Sequence, residues 1–191
     1  MGHHGGMTAH RAVSESPLFV VVSGPPASGK STLAPPLAAT MGLPLVAKDT
    51  IKDALMTVLP VPDVATSRVL GRASVVAMLA VAAESPVGAV IESNLHRSRA
   101  AAEVAALPGR VVEVFCVCDP EVGAARYRAR AGSRQAGHFD HERDPAELRN
   151  DEVARPVDGG WPVLRVDTNG PFDPASVSAL ARAVLDAAGG R

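Results

Sequence analysis

Residues 18–31 read Leu-Phe-Val-Val-Val-Ser-Gly-Pro-Pro-Ala-Ser-Gly-Lys-Ser, and this stretch decides the architecture. The apolar run 18–23 has no polar alternation and is rich in valine, which predicts a strand buried on both faces, as in a parallel sheet. Gly24 to Ser31 matches G-x-x-x-x-G-K-[ST] in full, standing between that strand and a helical stretch as the motif demands. Glycines let backbone amides curl around phosphate oxygens, and the helix beginning near Lys30 points the positive end of its dipole at them. Gly24, Ala27, Ser28, Gly29, Lys30, Ser31 and Thr32 are therefore expected to bind a nucleotide. Lys30 is expected to reach the β and γ phosphates and Ser31 to place its hydroxyl on Mg²⁺. ATP is the expected nucleotide, but the motif does not read the base and another triphosphate stays open.

Outward from this motif, short β-rich runs alternate with helical stretches. Strands are expected at 43–48, 88–92, 110–118 and 162–167. Helices are expected at 31–41, 49–59, 65–85, 97–107, 120–131 and 174–188. Pro35 and Pro36 are tolerable only near a first turn, so a local distortion is expected there. Five strands with helical crossovers imply an α/β fold, a parallel sheet with helices on both faces. Residues 132–158 break the rhythm, being rich in Arg, His, Asp and Glu, and read as a mobile excursion. Residues 1–16 carry His-His and Gly-Gly pairs but no apolar signal core, and read as a tail outside a single domain spanning 17–191. The 191 residues suit one such domain, which would bury roughly 70% of its unfolded-chain surface.

Composition narrows the partners. Lys and Arg total 19 against 20 Asp and Glu, and aromatics are 3%, which argues against a long nucleic-acid substrate. No apolar run approaches the ~18 residues of a membrane span, so a soluble, cytoplasmic protein is expected. Cys116 and Cys118 lie two apart in a predicted strand, where they cannot easily bridge each other, and read as buried thiols.

Functional groups in parallel sheets gather at the carboxyl ends of strands. Asp49, after the second strand, is thus placed beside the γ-phosphate, where its carboxylate could accept a proton from an attacking hydroxyl; it could equally cap the following helix. Lys52, one turn on, is a candidate for binding acceptor or phosphate, with a solvated lysine as the alternative. Glu92 ends the third strand as an acidic residue after an apolar run and is expected to hold a magnesium-bound water, with capping of the following turn as the alternative, while Asn94 could position the acceptor or a metal-bound water, or form a turn. Arg126, Arg128, Arg130 and Arg134 follow the fourth strand. Arg126 and Arg130 share a helical face, from which guanidinium groups on a lid (about 126–158) could stabilise charge in phosphoryl transfer. His138 and His141 lie among acidic residues at a spacing that is weak for a metal site, and Arg134 and His138 are further candidate acceptor contacts.

With these elements in order, including Asp119-Pro120 leading into the arginines, the chain resembles the P-loop kinases that include polynucleotide 5′-kinases, zeta toxins and chloramphenicol phosphotransferases. The resemblance spans about residues 18–170 and implies strand order 2-3-1-4-5, Asp49 as general base, and Arg126 and Arg130 gripping ATP phosphates. It implies a kinase acting on a hydroxyl of a small acceptor such as an antibiotic, sugar or nucleoside. A toxin-like or polynucleotide 5′-hydroxyl kinase, or a nucleotide switch without acceptor, stays open. Polynucleotide kinases carry arginine where this chain has Lys52, and their basic tunnel has no counterpart in this charge balance.

Overall fold

A computed structural model describes residues 16–131, 135–139, 142 and 150–190. The chain runs β1 (Leu18–Ser23), α1 (Lys30–Met41), β2 (Leu45–Ala47), α2 (Lys48–Met56), α3 (Val64–Ala83), β3 (Gly88–Glu92), α4 (Arg97–Ala105), β4 (Arg110–Val117), α5 (Pro120–Ala131), β5 (Val163–Asp167) and α6 (Pro174–Gly189), with a 3-10 turn at Ala136–His138 before β5. The five strands form one sheet in the order β2-β3-β1-β4-β5. All four pairings are parallel. The fold is therefore the expected α/β one with the expected strand order, and its physical basis lies in β1.

Every residue of β1 is buried, and successive side chains leave the sheet on opposite faces. Leu18, Val20 and Val22 join Leu33 and Leu37 of α1 and Val177 and Val184 of α6. Phe19 and Val21 join Met78 and Leu79 of α3 and Ala100 and Val104 of α4. One central strand thus serves two apolar layers, which is why it shows no polar alternation. Register brings the carboxyl ends of the strands to one edge: Val22 pairs with Glu92, Ala47 with Glu92, and Ser23 with Phe115.

Three local expectations change. Pro35 and Pro36 lie in the second turn of α1, and the helix continues through both to Met41. Both face solvent, where the carbonyls that lose an amide donor can be hydrated. Asp49 is not a cap: α2 begins at Lys48 with Ala47 at its N-cap, leaving Asp49 in the first turn. Within the stretch read as an excursion, Val153 and Val157 are buried in the protein.

That last segment is held by a group invisible to pattern reading. Glu113, in β4, is completely buried. Its carboxylate accepts hydrogen bonds from Ser23 Oγ (2.5 Å), Val157 N (2.9 Å), Asp158 N (3.1 Å) and Trp161 Nε1 (3.3 Å). Four donors replace the water it gives up on burial.

Among the described residues one helix, α3, is long and apolar enough to cross a membrane by length and composition. Here Leu70, Met78, Leu79 and Ala82 bury one side of it, and Arg72 is ion-paired with Glu103 of α4. Cys116 and Cys118 are buried thiols outside any disulfide, and burial pushes the Cys116 thiol up to about 12.

Candidate active site

The loop between β1 and α1 is shaped by conformations that side chains resist. Gly24 has φ 138°, and a Cβ there would lie 2.7 Å from both the Cys116 carbonyl oxygen and Ser28 Oγ. Gly29 has φ 88° and faces Thr168, whose Cβ would be 3.1 Å from an added Cβ. These are the two motif glycines, required here by backbone geometry and close approach. Thr168, 1% exposed, locks the loop from the far side: its hydroxyl lies 2.6 Å from the Ser28 carbonyl and 2.9 Å from that of Val117.

Lys30 is buried, and its ammonium donates to the carbonyls of Gly24 (2.9 Å) and Pro25 (2.7 Å). Burial lowers its pKa, opposed chiefly by the charge of Glu92. Glu92, 6% exposed, accepts from Ser31 Oγ at 3.4 Å. Its carboxyl is pushed up by burial and, to a smaller degree, by Asp49, while Lys30, Lys48 and Ser31 pull it down. Asp49 is ion-paired with Lys48 at 2.5 Å. The carboxyl ends of β1, β2 and β3 thus converge on one constellation of Lys30, Ser31, Glu92, Lys48 and Asp49.

Two cavities share the P-loop. One of about 450 Å³ is lined by Ala27 to Thr32, by Arg126 and Arg130 of α5, and by Thr168 to Phe172. The other, of about 530 Å³, lies beyond Pro26, between α2, α3 and α4, and is lined among others by Lys48, Lys52, Arg68, Asn94 and Arg99. Both fall in the range of small-molecule sites. The first contains every expected nucleotide residue except Gly24, which forms the stem of the loop.

The two arginines on one face of α5 both reach the nucleotide cavity, while Arg128 is exposed. They are not equivalent. Arg126 donates to the carbonyls of Thr168 (2.7 Å) and Asn169 (2.8 Å), so it grips the loop after β5. Arg130 lies near enough to Lys30 to lower its pKa and stacks over Tyr127 at 5.5 Å.

Lys52 and Asn94 both line the second cavity. Lys52 is 2% exposed, which removes the solvated alternative, and its ammonium donates to Ser67 Oγ at 2.6 Å. His138 lines neither cavity: it is 4% exposed and paired with Asp53 at 2.6 Å, beside the Ser67 hydroxyl bond to the Gly137 carbonyl. In this structure it docks the 3-10 turn onto α2 and α3. Arg134 and His141 lie outside the described residues. Sequence reasoning missed Thr168 as a brace and Arg99 and Arg68 as cavity residues; only the position of Thr168 after β5 hinted at its part. No group of three or more His, Cys, Asp or Glu side chains that could hold a metal by themselves occurs among the described residues.

A P-loop at the end of a central strand, a 2-3-1-4-5 parallel sheet and an arginine-bearing helix over the phosphate site define a P-loop kinase. The family model described as an AAA domain matches residues 19–150, and the chain belongs to that family. A protein of Chloroflexus aurantiacus designated a kinase is similar, with 27% identity, TM-score 0.77, and coverage of 88% of this chain and 98% of that one. A gluconokinase of Sinorhizobium meliloti shares the fold at 21% identity and TM-score 0.57, over 92% of this chain and 96% of the other. So does the APS kinase of Mycobacterium tuberculosis, in complex with AMPPNP and APS, at 19% identity and TM-score 0.58, over 91% and 98%. No curated protein matches the sequence.

Proposed function

We propose that this protein transfers the γ-phosphate of ATP to a hydroxyl of a small acceptor, with Asp49 as general base. The observation that carries this reading is the seam between the two cavities. Lys48 lines the acceptor side, and its ion-pair partner Asp49 acts electrostatically on Glu92 and Lys30 of the nucleotide side. A hydroxyl held in the larger cavity would then approach the γ-phosphate past Asp49, the less buried of the constellation's two carboxylates.

In that reaction the acceptor oxygen forms the new bond to phosphorus, its proton passes to the Asp49 carboxylate, and the bond from phosphorus to the β,γ-bridging oxygen breaks as ADP departs. Lys30 and Arg130 offset the charge on the transferring oxygens, and Arg126 holds the wall of the nucleotide cavity. Ser31 and Glu92 offer a hydroxyl and a carboxylate, the hard oxygen donors that suit Mg²⁺, and are the residues that would hold it. Magnesium bound there would neutralise charge on the phosphates. The fold neighbours named for gluconate and APS are in keeping with a small acceptor.

The decisive experiment is Asp49→Asn, which keeps the shape and leaves the fold and ATP binding intact. Transfer to acceptor, found with radiolabelled ATP against sugars, sugar acids, nucleosides, antibiotics and oligonucleotides, falls by about 10²- to 10⁴-fold in kcat, the usual share of a general base. An unchanged kcat at unchanged ATP affinity removes Asp49 from the reaction.

A further inference from the structure

A helix as apolar as α3 is ordinarily a core helix, yet only 28% of its most hydrophobic window is buried. Of the nine large apolar side chains exposed among the described residues, six lie on α3 or close to its ends: Val58, Leu59, Val69, Val76, Val81 and Val87. That concentration sets this face apart from the scattered single exposures normal on a protein surface.

The exposed residues follow an order. Val69, Ala73, Val76 and Ala80 all face solvent, at successive spacings of four, three and four, the alternation of a coiled-coil seam. Between Arg72 and Glu84 the helix carries no charged residue, so covering the seam buries no unpaired charge. Gly71 and Val75, which line the larger cavity, lie on another face of the helix, and the seam is no part of the site described above.

The sequence of side chains along the seam says what fits it. A second copy, antiparallel and related by a twofold axis between Ala73 and Val76, sets each Val69 against the other copy's Ala80 and each Ala73 against the other copy's Val76. Large meets small at every level, as close helix packing requires, and one patch serves both copies, as an isologous interface requires. A parallel pairing would set valine on valine and leave gaps between alanines. A bilayer surface is a poor match, because helices that lie in one present aromatic or leucine side chains, and the seam has neither. The antiparallel arrangement also brings the end bearing Val58 and Leu59 toward the other copy's end bearing Val81 and Val87. Six side chains left 47–75% exposed in each copy represent on the order of 1,000 Å² over both, the size at which specific interfaces begin.

We propose that this protein forms a reversible, twofold-symmetric homodimer through the α3 seam, with the larger cavity left open on a different face of the same helix.

Sedimentation velocity on the full chain over about 1–200 µM tests this: the parent's mass rises from monomer toward dimer within that range. Val76→Glu and Ala80→Glu each place a charge in the seam at an exposed position, and each raises the dissociation constant about tenfold or more at an unchanged melting temperature. Leu185→Glu, equally exposed but on α6 in the opposite layer, leaves it unchanged. Mild oxidation of mixed Val69→Cys and Ala80→Cys proteins gives the mixed disulfide in preference to either like pair, with the buried Cys116 and Cys118 taking no part. A parent that stays monomeric throughout, a dimer indifferent to both seam glutamates, or Val69→Cys joined to itself as readily as to Ala80→Cys each overturns the proposal. So does a monomer that binds vesicles of phosphatidylcholine and phosphatidylglycerol, which would give the seam to a membrane.

Discussion

A carboxylate as enclosed as Glu92 gives up most of its hydration, and what it receives in return does not make up the loss. Burial first, and the charge of Asp49 with it, raise its pKa against the pull of Lys30, Lys48 and Ser31, so folding favours its neutral form. The sign of a neutralising substitution follows: Glu92→Gln raises the melting temperature of the nucleotide-free protein while lowering kcat for phosphoryl transfer. The rise is readable by calorimetry, and a lower melting temperature would contradict the argument. Lys30 behaves differently, since its ammonium already has two carbonyl partners inside the loop. Lys30→Ala is expected to abolish transfer with little change in circular dichroism, and near-normal turnover would end the P-loop reading. Both residues were legible from the motif and the strand end. Lys52 was legible only as a candidate, because nothing in its sequence spacing reveals that Ser67, fifteen positions later on α3, encloses it.

The helix α5 shows how far periodicity reaches. A four-residue spacing placed Arg126 and Arg130 on one face, and both line the nucleotide cavity; it could not show that one of them binds protein carbonyls. Their substitutions should therefore separate. Arg126→Ala frees the Thr168–Asn169 carbonyls and loosens the cavity wall, raising the KM for ATP more than it changes kcat. Arg130→Ala removes a charge felt at Lys30 and lowers kcat more than it raises KM. Identical effects in steady-state kinetics would make the two arginines equivalent after all. Boundaries of the elements followed from apolar period and Gly or Pro punctuation, so β1, β3 and α5 stand where they were expected. The cap of α2 was missed for a physical reason: the helix starts directly from the strand at Lys48, leaving no residue between them for Asp49 to serve as cap.

For the molecule as a whole, the sheet order was legible only through resemblance, because no local pattern says which strand neighbours which. The anchoring of residues 153–161 was not legible at all: it depends on Glu113, a charged residue in the middle of a buried strand, where composition alone would forecast a surface position. Glu113→Ala strands the amides of Val157 and Asp158, the Trp161 indole and the Ser23 hydroxyl, a loss on the order of 3 kcal/mol. The melting temperature should then fall by roughly 6–12 °C. Trp161 is the only tryptophan, so its fluorescence follows the same loss directly. A variant that melts with the parent would show the carboxylate to be dispensable. The central position of β1 carries one more consequence, for biosynthesis. Its hydrogen-bonding neighbours β3 and β4 are encoded downstream of α1, β2, α2 and α3, so a nascent chain displays Leu-Phe-Val-Val-Val long before either partner leaves the ribosome. That uncharged, valine-rich segment has the composition of an aggregation-prone strand, and the yield of folded protein from a cell should depend on chaperone capacity and translation speed while β1 waits for its mates.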